Sequence, residues 1–310
     1  MRVFVTGASG WIGSHVVPEL TRAGHKVSGI ARSDASAAAL TAAGVEVHRG
    51  SLDDLDVVRN AAAATDGVIH LAFDHGKAFS GDFEGAADTD RRAIEAIAEA
   101  FAGTDRPLVI AAGTFGVAAG RVATETDTPN IAHLPGGPAK RSETAAFTRS
   151  LSSRGIRSVV VRLSPTVHGI GDYGFMARII GIAREKRVSG YIGDGNNEWP
   201  AVHVADAANL FRLALENAPA GSILHAVGDE GVRLRDIADV VGRRLNVPVV
   251  SVSSDDAPAH FSWLAGFLGM NSPASSAQTR ALMKWEPTHP GLIEDLEEGH
   301  YFDRPAADKY

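Results

Sequence analysis

Arg2-Val3-Phe4-Val5-Thr6-Gly7-Ala8-Ser9-Gly10-Trp11-Ile12-Gly13 begins as a short apolar run and continues with a glycine at every third position. Consecutive Val3, Phe4 and Val5 read as a strand buried on both faces. Gly7 suits the tight turn that follows, Gly10 leaves room for backbone to approach a pyrophosphate, and Gly13 lets a helix pack close to the strand. The helix expected from Trp11 to Ala23 would turn its free N–H groups and positive end toward the phosphates. A second strand at Lys26 to Ala31 completes the context this spacing requires. The stretch therefore predicts a dinucleotide site made by Gly7, Ser9, Gly10, Trp11, Ile12 and Gly13 in an α/β, doubly wound parallel sheet of Rossmann type.

Working outward, short Val/Ile/Leu-rich runs alternate with Ala-rich amphipathic segments, the pattern of a parallel sheet covered on both faces. Further strands are expected at Val45 to Arg49, Gly67 to Leu71, Pro107 to Ala111 and Arg157 to Leu163. Helices are expected at Ser36 to Ala43, Leu55 to Ala64, Ala86 to Ala102 and Pro138 to Arg154. After Leu163 the pattern changes. Gly- and Pro-rich stretches (Ser164 to Gly174, Gly190 to Pro200) precede a helix at Val204 to Asn217, a strand at Ile223 to Val227, and helices near Arg233 to Leu245 and Pro258 to Gly269. The expected division is a dinucleotide-binding domain at 1–167 and 202–227, a smaller interwoven substrate lobe at 168–201 and 228–302, and a polar tail at 303–310.

Composition narrows the partners. With 30 basic and 37 acidic residues in a chain of 310, the net charge of −7 leaves no excess of cations for a phosphate backbone, so nucleic acid is not expected. The absence of cysteine removes disulfides and thiolate chemistry and fits a reducing compartment. No run approaches the ~18 apolar residues of a membrane span, and the N-terminus has no signal-peptide layout; a cytoplasmic protein is expected. The 12 histidines are scattered, no two standing at helix spacing beside a carboxylate, so no metal is expected.

At the end of the second strand stands Ile30-Ala31-Arg32-Ser33, where a protein selecting NAD usually has an acidic residue for the ribose 2′-hydroxyl. Arg32 and Ser33 suit a 2′-phosphate instead. NADP(H) is therefore expected ahead of NAD(H), the alternative being Asp34 on the ribose.

Taken together, Gly7, Gly10 and Gly13, His70-Leu71-Ala72, the segment Arg162 to Gly169, Gly193-Asp194-Gly195 and Val202 to Ala208 resemble the extended short-chain dehydrogenase/reductases. That superfamily includes nucleotide-sugar epimerase/dehydratases and 3β-hydroxysteroid dehydrogenases. The resemblance runs to about Leu296. It implies that Ser51 and Leu52 border the adenine, that Leu71, Ala72, Phe73 and Ala112 line the path to the nicotinamide, and that Leu163, Ser164, Pro165 and His168 lie beneath it. Ser164 would bond the carboxamide or, alternatively, close a local turn before Pro165. The resemblance also implies dimerisation through the helices at 86–102 and 138–154.

The catalytic pattern of that family is broken here. It uses a tyrosine to exchange a proton at the substrate oxygen and a lysine four residues later to lower the tyrosine's pKa. If Lys140 is the lysine, the tyrosine position is Gly136; if Arg141 replaces it, the position is Gly137. None of the four tyrosines, Tyr173, Tyr191, Tyr301 and Tyr310, stands at either place. The family's hydroxyl after the fifth strand falls on Gly113 or on Thr114. Lys140 keeps a second candidate role at the nicotinamide ribose. Tyr173 and His168 are the alternative proton donors, and water is a third. Candidate substrate contacts are Asp74, His75, Phe115, Phe175, Trp199 and His203, a mixture suited to a small, mostly apolar carbonyl or alcohol. The expected function is NADP(H)-dependent oxidation–reduction of such a substrate. A catalytically silent NADP(H)-binding sensor or scaffold and a nucleotide-sugar epimerase/dehydratase are the alternatives.

Overall fold

A computed structural model describes residues 1–133 and 136–303; most of the expected 303–310 tail lies outside them. In the first half, β1 (Arg2–Thr6), β2 (Lys26–Ala31), β3 (Glu46–Arg49), β4 (Gly67–His70), β5 (Pro107–Gly113) and β6 (Arg157–Leu163) alternate with helices. Those helices are α1 (Gly13–Arg22), α2 (Asp34–Ala42), α3 (Leu55–Ala63), the short α4 (His75–Phe79), α5 (Phe83–Phe101) and α6 (Gly136–Ser150). The helix predicted from Trp11 begins at Gly13, and the one predicted to reach Arg154 tightens into a 3-10 turn at Leu151–Arg154.

The second half supplies β7 (Thr166–His168), α7 (Phe175–Lys186), β8 (Ser189–Ile192), β9 (Glu198–His203), α8 (Val204–Asn217), β10 (Ser222–Ala226) and β11 (Asp229–Arg233). It ends with α9 (Leu234–Leu245), β12 (Val249–Val252), α10 (Ala257–Phe261), α11 (Ala265–Leu268), α12 (Ala277–Met283) and α13 (Leu292–Glu298). A single helix was expected over 258–269; α10 and α11 are instead separated by a 3-10 turn at Ser262–Leu264, where Ser262 has φ 54°.

The central sheet has seven strands in the order β10-β6-β5-β4-β1-β2-β3, all parallel. The order reverses between β1 and β4, and the crevice outside their carboxyl ends is where such sheets bind ligands. Val3, Val5, Val16, Leu20, Val109, Val161, Leu210 and Phe211 fill the face under α1 and α8. Phe4, Val58, Val68, Ile94, Ile97 and Phe101 fill the face under α3 and α5. Ile94 and Ile97 are fully buried there, so they pack on the sheet and add nothing to an outer dimer seam.

Two smaller sheets, β11-β9-β7 and β12-β8, share a separate core of Met176, Ile180, Trp199, Ile237, Phe261 and Leu296. No helix among the described residues is long and apolar enough to cross a membrane.

Candidate dinucleotide and substrate site

The turn after β1 is as tight as its glycines imply. Gly7 has φ +67°, and a Cβ there would lie 2.8 Å from the Ala72 amide nitrogen; one on Gly13 would lie 2.1 Å from the Gly7 carbonyl oxygen. The first contact draws the turn against the end of β4, and the second seats the first turn of α1 directly on the loop. Thr6 secures the join, its Oγ1 accepting the amides of Leu71 and Ala72, each at 3.2 Å. Main chain this close, with helix amides left to face outward, fits a dinucleotide pyrophosphate. Gly10, Trp11, Ile12 and Gly13 are the residues that would hold it, with Ser9 exposed beside them.

At the adenosine end, Arg32 is exposed just past β2 and reaches Asp74 at 3.5 Å. Asp74 also caps α4 by accepting the Lys77 amide. Ser33 caps α2, its hydroxyl accepting the Ser36 amide at 3.2 Å. Asp34 is held by Arg49 at 2.6 Å, and Ser51 bonds Asp54 through both its amide and its hydroxyl. Leu52 is partly buried beside it. The cations Arg32 and Arg49 thus stand at the strand ends where the adenosine ribose would lie.

A buried polar chain runs under the crevice, centred on His70, which the sequence places at a sheet end as a hydrogen-bonded core group, with Thr6 and Asp90 as partners the sequence did not indicate. Asp90, as a carboxylate, only accepts, so His70 Nε2 carries the proton in the 3.0 Å bond between them, leaving Nδ1 to accept from Thr6 Oγ1 at 2.9 Å. Arg141 stands 3.8 Å from Asp90, donates to the Ala111 carbonyl at 3.1 Å and lies over the Phe73 ring at 4.1 Å. Burial alone would raise the Asp90 pKa, yet the charge of Arg141 and the hydrogen bond from His70 hold it below the usual carboxylate value. Arg141, and not Lys140, therefore turns toward the ends of β4 and β5. Lys140 turns to α5 instead, with Asp88 at 2.8 Å and Glu84 at 3.4 Å.

If Arg141 takes the lysine's place, the tyrosine position expected from the resemblance is Gly137. A Cβ on Gly137 would lie 2.2 Å from Cδ1 of Phe83; the first residue of α5 occupies the space.

Thr114 follows β5, is 1% exposed, and its Oγ1 has no hydrogen-bond partner among the described residues. An orphaned buried hydroxyl costs about 1–3 kcal/mol, which a substrate oxygen would relieve. Phe115 beside it meets Phe175 at 6.3 Å and Trp199 at 5.2 Å between ring centres. Phe115 and Phe175 are partly exposed and can wall a cleft. Trp199 is fully buried, with Nε1 on the Met270 carbonyl, and is core. His75 is exposed at the start of α4, its ring against Phe73 at 5.1 Å. Ala112 and Leu163 sit at adjoining strand ends and, like Pro165, are partly buried. Ser164 spends its hydroxyl proton on the Ala226 carbonyl at 2.9 Å, a bond between strand ends and not within a local turn before Pro165, the alternative weighed for it.

Two histidines expected in the cleft are structural. His203 caps α8 through Nδ1 and stacks on His289 at 4.6 Å and 6°; its burial, together with His168 and His289, pushes its pKa down to about 4. His168 is fully buried and donates from Nδ1 to Asp295 at 2.8 Å, while His300 reaches the other Asp295 oxygen at 2.9 Å. His168 Nε2, like the Thr114 hydroxyl, is buried without a hydrogen-bond partner among the described residues.

Although burial works in the opposite direction, the bonds from His168 and His300 keep Asp295 below its reference pKa of 3.8. Its stabilising effect is complete above that reference and disappears as pH falls through the lower folded value. Asp295→Ala is expected to lose about 3 kcal/mol at pH 7 in urea unfolding, and a loss under 1 kcal/mol would contradict this role.

Glycine-tight turn, reversed strand order and a hydroxyl beyond β5 define a dinucleotide-binding α/β protein of the short-chain dehydrogenase/reductase type. A sequence profile of the NAD dependent epimerase/dehydratase family matches residues 3–226, and the chain belongs to that family. An uncharacterized protein of Schizosaccharomyces pombe is 46% identical over 97% of this chain and 100% of its own length. A 4-hydroxy-2-methyl-3-oxo-4-farnesyl-3,4-dihydroquinoline-1-oxide ketoreductase of Stigmatella aurantiaca is 25% identical over 84% of this chain and 79% of its own. The structure of MoeE5 in complex with UDP-glucose and NAD superposes with a TM-score of 0.76 at 22% identity, covering 97% of both chains.

Proposed function

We propose that the chain is an NADP(H)-dependent oxidoreductase of the extended short-chain dehydrogenase type, acting on an apolar carbonyl or the matching alcohol. The observation that carries this reading is the buried, unpartnered Thr114 hydroxyl beside Phe115, at the end of a strand next to the crevice. The similarity to a ketoreductase supports the reaction class. The dinucleotide, when bound, supplies or accepts hydride at its nicotinamide ring.

The remaining roles belong to the chain. Amides from Trp11 to Gly13 hold the phosphates, Arg32 and Ser33 take the 2′-phosphate, and Ser51 and Leu52 border the adenine. Arg141 assumes the lysine's place at the ribose, its guanidinium supplying the positive charge there. Thr114 donates to the substrate oxygen and fixes it for hydride transfer, while water replenishes the proton. Placement alone removes several kcal/mol of barrier, whereas a dedicated general acid typically adds 10²- to 10⁴-fold, so slow turnover is expected.

Phe83 filling the tyrosine's place favours a second reading, an NADP(H)-binding protein without turnover. NADPH titration followed by a panel of aldehydes, ketones and imines separates the two: binding with reduction of at least one apolar carbonyl supports the oxidoreductase, and binding without any reduction supports the silent protein. Arg32→Ala should weaken NADPH about tenfold and leave NADH unchanged. An equal effect on both cofactors would remove Arg32 from the 2′-phosphate.

A further inference from the structure

Tyr173 lies on the loop between β7 and α7, and its hydroxyl accepts the amide N–H of Trp11 at 2.8 Å. That amide belongs to the run of backbone donors opening α1, which is where a helix start attracts phosphate. The indole of Trp11 is fixed on both sides: Nε1 donates to the Val167 carbonyl at 2.9 Å, His15 packs at 4.7 Å, and the Tyr173 ring lies 6.2 Å away.

The loop that delivers Tyr173 is anchored from the far end of the chain. Gly169 donates its amide to the Tyr301 hydroxyl at 3.2 Å, and Tyr301 donates to Asp172 at 2.8 Å. The other Asp172 oxygen receives the Gly174 amide at 2.6 Å. Gly169 and Gly171 have φ of 141° and 100°, conformations that side-chain-bearing residues rarely adopt, so the loop is built to turn at these two points.

We infer that Tyr173 is a displaceable cap on the pyrophosphate site, holding the Trp11 amide in the free protein and giving it up when a dinucleotide arrives. The inference rests on the dinucleotide reading above. A single N–H directs one strong hydrogen bond, so the phenol oxygen and a phosphate oxygen compete for it. The charged oxygen is the better acceptor and wins the exchange. Apparent affinity is lowered by the fraction of molecules in which the cap is closed.

The test is titration of the full chain with NADPH, ADP-ribose and adenosine, followed by calorimetry and tryptophan fluorescence. Tyr173→Phe keeps the ring and removes the competing acceptor. NADPH and ADP-ribose should then bind about 3- to 10-fold more tightly, while adenosine, which lacks the pyrophosphate, is unchanged. In stopped flow, the wild-type association rate should level off with NADPH concentration as cap opening becomes limiting, and that of Tyr173→Phe should stay linear.

Tyr301→Phe removes the loop's anchor and leaves Tyr173 in place, so it should shift affinity in the same direction by a smaller factor. Unchanged or weaker NADPH binding in Tyr173→Phe, with wild-type binding intact, overturns the cap and leaves the dinucleotide reading standing. No dinucleotide binding to either protein overturns both.

Discussion

Gly13→Ala is expected to weaken dinucleotide binding by about 100-fold or more and to lower the melting temperature. The added methyl would lie 2.1 Å from the Gly7 carbonyl oxygen and 2.7 Å from the Ala8 Cα. Both neighbours are backbone in a turn already pressed against Ala72, so neither can give way as a side-chain tip would. Relief requires α1 to lift from the loop, which takes its first amides away from the phosphates and opens the packing of Val16 and Leu20, both fully buried. Overpacking of this kind costs roughly 1–3 kcal/mol or more, and a 100-fold loss of affinity corresponds to about 2.7 kcal/mol. Thermal melting and NADPH titration measure the two effects separately. Binding within threefold of wild type would mean that the seat of α1 on this turn does not support the ligand.

The second large effect concerns Gly137. Gly137→Tyr places the family's residue four positions before Arg141, but it should destabilise the fold by about 3 kcal/mol and yield no gain in turnover. Its Cβ would lie within 2.2–2.7 Å of the ring and Cβ of Phe83, forcing apart the starts of α5 and α6. The double variant Phe83→Ala/Gly137→Tyr removes the ring and leaves one Cβ contact, at 2.7 Å, for the first turn of α5 to absorb. It should recover most of the stability. If the double variant also gains carbonyl reduction with a pH dependence absent from wild type, Phe83 is what keeps a phenol out of this site. A stable Gly137→Tyr single variant would show that the two helix starts are not held against each other.

Much of the fold was readable because its signals are local. The run from Arg2 to Gly13 carries strand, turn and helix start within a dozen residues, and Val204 to Asn217 shows its helical period without interruption. What escaped depends on contacts distant in sequence. Pro200, the end of a Gly- and Pro-rich stretch in the sequence, sits inside β9, between Trp199 and Ala201, where the register with β11 slips between Asp229 and Val232. A residue without an N–H is tolerated where the ladder is already broken.

Site residues divide in the same way. Lys140 and Arg141 are indistinguishable from spacing alone, because neighbours on a helix point about 100° apart and only Glu84 and Asp88 on α5 decide which one turns away. Thr114 was named from its place after a strand. Asp90 and Thr6 carried no motif, and Tyr173, named as one of the candidate proton donors, meets the Trp11 amide in the glycine turn. Nothing in the loop's own sequence announces a bond to Trp11.

The clasp of Asp295 on His168 and of Tyr301 on the 169–174 loop also fixes the order in which the protein can mature during synthesis. Trp11 and the glycine turn emerge from the ribosome well before the residues that hold the 169–174 loop. A nascent chain thus presents the glycine turn without the Tyr173 contact, and that corner of the fold takes its finished form only when α13 and Tyr301 dock.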